Sequence, residues 1–186
     1  MPALTTNYTD ESFPRYYKSF VNFVKIQCKR HADRVYVRYY SQGTFKTLTY
    51  AEIDRMSTNL ACEWAALKNN TQVVSFLGVN GVDFLLTVLA LMKLRLTVLM
   101  ISPRNSEPAI VNLLEKTKSK LFFASTKFDS LAQESTAQCD GVKLVMLDPF
   151  DIEDRKKQPL HPQSEEILNM NFTTEDINEP VLIIHR

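Results

Sequence analysis

The sequence predicts an α/β protein, a mostly parallel sheet flanked by helices and preceded by an N-terminal helix and a β-hairpin. Three observations predict it. Short, nearly continuous apolar runs recur at Gln72–Leu77, Leu96–Ile101, Lys120–Ala124 and Lys143–Leu147, as strands covered on both faces require. Helical segments separate them, at Gly81–Leu94, Ser106–Thr117 and Phe128–Gln138, so successive strands are joined by crossovers and run parallel. The 45% hydrophobic and 23% charged residues are those of an ordinary globular chain, so a packed core is expected throughout.

Taken in order, Tyr17, Phe20, Val21, Val24 and Cys28 recur at helical spacing, and Lys29 and Arg30 suit a helix C-terminus. Val35–Tyr40 and Thr44–Leu48, separated by Ser-Gln-Gly, carry a hairpin signal. Thr49-Tyr-Ala-Glu52 reads as a capping box, with hydroxyl and carboxylate each accepting from the other residue's N–H. Behind it, Ile53, Met56, Leu60, Trp64 and Leu67 make one apolar stripe. Asn80 is the expected cap of the helix over Gly81–Leu94, with Asp83 in its first turn. That helix is apolar on almost every side and should be deeply buried. Ser102-Pro-Arg-Asn-Ser106 is a turn, and Ser106 caps the helix that follows. Asp148–Pro180 differs in kind, with no glycine and four of the eight prolines; it reads as an irregular surface segment with one short helix near Ser164–Met170. Val181–Ile184 is a final strand. Residues 1–147 thus form an α/β portion, 148–180 an irregular acidic, proline-containing segment, and 181–186 a strand and its exit.

Composition excludes several functions. Lys and Arg total 22 against 21 Asp and Glu, and a net charge of +1 gives no footprint for nucleic acid or an anionic membrane. Cys28, Cys62 and Cys139 form no Cys-x-x-Cys pair or Cys/His cluster, so no metal site is expected; they read as buried, reduced thiols of a cytoplasmic protein. Val82–Ile101 has the length of a membrane span, but Lys93 and Arg95 lie inside it. A central charge costs about 2.5–3.5 kcal/mol on insertion, so no span is expected.

Four stretches carry a resemblance. Leu48-Thr-Tyr-Ala-Glu-Ile53, followed by Leu60-Ala61, is similar to the first core motif of the adenylate-forming superfamily of acyl-CoA synthetases, luciferases and peptide-synthetase adenylation domains. Val79-Asn-Gly-Val-Asp-Phe84 with Ala90-Leu-Met-Lys-Leu94 resembles its second core region. Val181-Leu-Ile-Ile-His185 looks like the strand that feeds its phosphate-binding loop, and the Ser102–Ser106 turn resembles a variant of fungal peptide-synthetase-like enzymes. The resemblance implies the N-terminal part of an ATP-dependent carboxylate-activating ligase. ATP, Mg²⁺, a carboxylic acid and CoA or a phosphopantetheine carrier would serve the complete enzyme. There are two departures. Arg95 stands where the family places a helix-ending glycine, and the left-handed conformation that glycine adopts freely costs a residue with a Cβ about 1 kcal/mol, so the helix is expected to end less neatly. Arg186 stands where the hydroxyl-rich loop should begin, so the chain alone is expected to be inactive and to need no cofactor of its own.

The remaining residues support little chemistry by themselves. Gly43, Gly78, Gly81 and Gly141 form no phosphate loop. Gly78 and Gly81 bracket a strand-to-helix junction whose free N–H groups can meet an anion, and Arg104 can meet a phosphate; these three are the candidate cofactor contacts. No residue is assigned a catalytic role, since His31 and His161 neighbour no nucleophile. A non-catalytic α/β interaction module is the alternative reading. The apolar strand Val181–Ile184, left as a sheet edge, is expected to promote self-association.

Overall fold

The structure, a computed structural model, describes residues 20–68, 71–168 and 180–184. Tyr17, the end of the helix expected to reach Met170, residues 169–179 of the acidic segment, His185 and Arg186 lie outside the described residues.

Helix α1 (Phe20–Arg30) leads into a hairpin of β1 (Val35–Ser41) and β2 (Thr44–Thr49). Gln42 and Gly43 both have positive φ, 50° and 78°, which is what a two-residue turn needs to follow the twist of its strands. The capping box is present as expected: the Glu52 N–H donates to Thr49 Oγ1 at 3.2 Å and the Thr49 N–H to Glu52 Oε2 at 2.8 Å. It opens α2 (Tyr50–Trp64), whose Ile53, Met56, Leu60 and Trp64 are buried.

Five parallel strands follow, β3 (Val73–Leu77), β4 (Thr97–Ile101), β5 (Leu121–Ser125), β6 (Lys143–Leu147) and β7 (Leu182–Ile184), in the spatial order β6-β5-β3-β4-β7. Helices α3 (Val82–Lys93), α4 (Glu107–Thr117) and α5 (Asp129–Ala137) make the crossovers. Strand period two sorts the core into two layers. Val74, Phe76, Leu121 and Phe123 join α2 and α3 in one cluster, while Leu77, Phe122 and Ala124 join α4 and α5 in the other. In β7 only Leu182 and Ile183 are half-buried; Ile184 is 70% exposed on the edge beside β4.

Two helices end on residues other than glycine in the left-handed conformation. At the end of α3, Arg95 has φ 59°, its N–H donates to Met92 O, and the Leu96 N–H donates to Leu91 O. This doubly bonded termination satisfies two orphan carbonyls, and buried Leu96 and Leu91 belong to one cluster behind it. The helix therefore ends in good order although Arg95 stands in the left-handed conformation, where a glycine would carry no such cost. Lys118, at φ 53°, ends α4 in the same way, with Ser119 N–H donating to Leu114 O. At the other end of α3, Asn80 is not the cap. Gly81 holds that position with no side-chain bond, because the helix begins one residue later and leaves Asn80 exposed in the loop.

Lys93, in the last turn of α3, is 7% exposed, and its ammonium sits among three acceptors. It donates to Asp54 Oδ1 at 2.6 Å, Asp54 O at 2.8 Å and Thr58 Oγ1 at 2.8 Å, all on α2. Burial pushes its pKa below the ordinary lysine value and Asp54 pulls it back up. Beside it Cys28 is driven up to about 11, by burial first and the Asp54 charge second. All three cysteines are free and buried.

Residues 148–168, after β6, hold two short helices. A helix α6 (Ile152–Lys157) was not foreseen; α7 (Ser164–Leu168) falls where one was expected. Polar ties fasten this segment onto α2. Arg155 pairs with Glu63 at 3.1 Å and Lys156 with Glu52 at 3.3 Å. Asn59 donates to Pro159 O at 2.9 Å and accepts from the His161 N–H at 2.9 Å.

Two substitutions test these devices by urea denaturation. Lys118→Gly is expected to stabilise by about 1 kcal/mol at high salt, where the helix-dipole benefit of the lysine is screened and the left-handed cost remains. Asp54→Ala is expected to cost about 3 kcal/mol or more, because it strands a buried ammonium. Lys93→Met, which leaves a partly hydrated carboxylate, should cost about 1 kcal/mol or less. Equal costs for Asp54→Ala and Lys93→Met would refute this account of the pair.

Candidate functional site

The sheet winds in two directions from β3. Its crossover through α3 carries the chain to β4 on one side, whereas β5 returns to the other and continues through α5 to β6. Loops leaving β3 and β5 therefore diverge at their carboxyl ends, and that divergence is where open α/β sheets leave a crevice for ligands. A crevice of about 350 Å³ lies there, walled by the loop after β3, the loop after β5 and Asp148–Phe150 after β6.

Each wall has a local cause. Gly78 is required for space: a Cβ there would run into the ring of Phe76, which packs against Phe84 with centroids 5.0 Å apart. Gly81, by contrast, has nothing within 4 Å of where a Cβ would stand, so the first turn of α3 is approached without obstruction. Phe150 closes one side. Its N–H donates to Asp83 Oδ2 at 3.0 Å, and the Arg155 guanidinium stacks 4.7 Å from its ring centroid. Burial raises the pKa of Asp83, while the Phe150 N–H and Arg155 oppose the shift. Across the crevice, Ser125, Thr126 and exposed Lys127 form the rim.

Thr87 stands in the wall, on the second turn of α3. Its Oγ1 is buried, the residue is 0% exposed, and the hydroxyl has no hydrogen-bond partner. Other helical hydroxyls behave differently. Those of Ser57, Thr58, Thr117, Ser135 and Thr136 each donate to the carbonyl four residues earlier, at 2.6–2.7 Å. An unsatisfied buried hydroxyl costs about 1–3 kcal/mol, so Thr87 is an unusual tenant of an apolar helix. Sequence reasoning passed over it. The available signal was that Thr87 is the lone polar residue between Asp83 and Lys93.

The structure places Gly81 in the crevice lining, whereas Gly78 is buried behind it against the Phe76 ring and Arg104 lies apart, its exposed side chain in the turn after β4. That turn is ordered by Ser102, which accepts from the N–H of Arg104 on Oγ at 3.3 Å and from the N–H of Asn105 on its carbonyl at 3.0 Å. His161 is tied structurally, its Nδ1 accepting from the Gln163 N–H, and the ring of His31 lies against Tyr50. Among the described residues no group of three or more His, Cys, Asp or Glu is placed to hold a metal ion, and no helix is long and apolar enough to cross a membrane.

The family described as AMP-binding enzyme matches residues 24–184. No curated protein matches the chain in sequence. Among solved structures, a fatty acyl CoA synthetase of Mycobacterium tuberculosis is similar at TM-score 0.60 and 19% identity, over 77% of this chain and 29% of that one. A luciferase-like enzyme from the mealworm Zophobas morio is similar at TM-score 0.61 and 21% identity, over 76% and 34%. The O-succinylbenzoate coenzyme A synthetase of Bacillus subtilis, solved with ATP and magnesium ion, is similar at TM-score 0.57 and 16% identity, over 75% and 34%. At these identities the likeness is one of fold. The chain spans about a third of the length of those structures.

The orphan hydroxyl makes a stability prediction. Thr87→Val keeps the shape and removes the unpaired group, so it is expected to raise stability by about 1 kcal/mol in thermal or chemical unfolding. A loss of 1 kcal/mol or so would mean that the hydroxyl is bonded within the fold.

Proposed function

The chain belongs to the AMP-binding enzyme family, and from that premise we propose that it forms the N-terminal portion of an ATP-dependent carboxylate-activating ligase. The observation that carries the reading is the family match across residues 24–184, which takes in both core motifs and the strand β7. It favours the ligase over a free-standing interaction module. In this proposal residues 1–147 are scaffold, residues 148–180 brace it, and residues 181–186 lead toward the phosphate-binding loop. The Ser102–Ser106 turn supports kinship with fungal peptide-synthetase-like enzymes.

The chemistry is demanding. A carboxylate attacks the α-phosphate of ATP and expels pyrophosphate, so the enzyme must cradle the departing phosphates with N–H donors and hold Mg²⁺ with carboxylates. The described residues fit that task poorly. The crevice sets two carboxylates, Asp83 and Asp148, against a single lysine, Lys127, and a triphosphate would meet net repulsion there. No step of adenylyl transfer is therefore assigned to these side chains. Their part is to hold the sheet and to set the direction in which β7 leaves it. The thiol acceptor of the complete enzyme, CoA or a phosphopantetheine carrier, has its candidate contacts in Gly78, Gly81 and Arg104, the last with a guanidinium free to meet a phosphate. Self-association belongs to the same proposal: Ile184, 70% exposed on the β7 edge, supplies the apolar contact.

The 186-residue chain is expected to show no carboxylate-dependent ATP–pyrophosphate exchange, and to bind ATP–Mg²⁺ more weakly than about 100 μM in isothermal titration. The longest natural product that carries this sequence is expected to catalyse the exchange. Exchange by the 186-residue chain, or its absence in a longer product, counts against the proposal.

A further inference from the structure

We propose that the outer face of the β1–β2 hairpin docks on an anionic phospholipid surface, an inference that goes beyond the ligase reading and does not depend on it. The chain-wide charge of +1 hides a segregation. Residues 20–49 hold six Lys or Arg against Asp33 alone, whereas in residues 50–168 acidic side chains outnumber basic ones. Such asymmetry within one chain marks a surface for a polyanion, and a whole-chain count averages it away. Lys29, Arg30, Arg34 and Arg38 are all exposed, and none of them forms an ion pair among the described residues. Clusters of about four to eight such cations are what the negative potential of a bilayer surface retains.

Strand period sorts the hairpin into two faces. On the inner face Val37, Tyr39 and Leu48 join the core, and Glu153 of α6 accepts from the Tyr39 hydroxyl and pairs with Lys46. Arg38, Tyr40, Phe45 and Thr47 make the other face, Arg38 opposite Thr47 and Tyr40 opposite Phe45, and all four are exposed. Tyr40 is 66% and Phe45 76% exposed, and their rings pack edge to face, 5.3 Å apart, beside the Gln42–Gly43 turn. Two large rings thus stand at an exposed tip and not in a groove. That arrangement suits the boundary between headgroups and acyl chains, where a phenol keeps its hydroxyl wet and a neighbouring arginine reaches phosphate. Unpaired bases stacking on the rings are the competing occupant. They have no use for an aliphatic side chain, so Val35, exposed at the start of β1, favours lipid.

The experiment is flotation of the 186-residue chain with vesicles through a density gradient, in which bound protein rises and aggregated protein sinks. Vesicles of phosphatidylcholine with about 30% phosphatidylserine are expected to bind it about tenfold more tightly than phosphatidylcholine alone, and to release it in about 0.5 M KCl. Arg34→Glu combined with Arg38→Glu should weaken that binding about tenfold or more. Tyr40→Ser combined with Phe45→Ser should weaken it by a similar factor and leave the salt response in place. All four side chains are exposed, and the thermal midpoint of each variant reports that the fold is kept. The proposal is overturned if the chain does not float with the phosphatidylserine vesicles, or floats equally well with phosphatidylcholine alone. It is equally overturned if the Tyr40 and Phe45 variant binds as tightly as the unaltered chain, since charge alone would then suffice. Tighter binding of a polyuridine of about 20 nucleotides at equal salt would also overturn it. The vesicle and polyuridine comparisons on the unaltered chain decide the matter even if a variant does not fold.

Discussion

One buried cation fixes how the two helices on one face of the sheet sit together. Lys93 lies at the end of the most apolar helix, within the last turn before β4, where an unpaired ammonium would be intolerable. Asp54 and Thr58 of α2 accept from it, so α2 and α3 can sit in only one register relative to each other. Both helices cover the same face of the sheet, and their apolar residues join Val74, Phe76 and Phe123 in one cluster. The capping box that starts α2 and the Lys-Leu pair that ends α3 belong to the two core motifs recognised in the sequence. Far apart along the chain, the helices these motifs begin and end meet where Lys93 reaches Asp54 and Thr58.

The crevice follows from topology rather than from any local motif. A strand order of β6-β5-β3-β4-β7 forces the loops after β3 and β5 apart, and the space between them exists before any side chain is chosen. Local chemistry then decides its character. The missing Cβ of Gly78 admits the Phe76 ring, Asp83 pins the backbone of Phe150, and Arg155 braces Phe150 from outside while reaching Glu63 on α2. The same arginine thus links the wall of the crevice to the helix that holds Lys93.

The sheet was legible because its strands are covered on both faces and so read as unbroken apolar runs. Val73–Leu77 and Leu121–Ser125 fall within a residue of where those runs lie. The capping box was legible for a similar reason, since its two bonds are local. Helix α6 was not. Its sequence, IEDRKK, has no apolar stripe, and ion pairs with α2 and the hairpin hold it, including Lys46 with Glu153 at 3.0 Å. Gly78 and Gly81 were found as a junction, but Ser125–Lys127 and Asp148–Phe150 line one crevice with Gly81 only through the winding of the sheet. Arg95 shows the limit of reasoning by type, because two backbone bonds and a leucine contact outweigh a cost of about 1 kcal/mol in the left-handed conformation.

Strand β7 has a place in time as well as in space. Its partner β4 is complete long before it: Thr97 donates to Pro180 O across a separation of 83 residues, whereas β3 meets β4 at Val73 and Thr97. Closing the longer loop costs roughly 1 kcal/mol more in chain entropy. During synthesis at roughly 5–20 residues per second, β3 to β6 can pair for several seconds while the outer side of β4 waits. A nascent chain therefore passes through an interval in which the backbone of β4 is open to any extended segment that reaches it first. The late arrival of its proper neighbour makes that edge the point at which a chaperone, or a misplaced strand, has its opportunity.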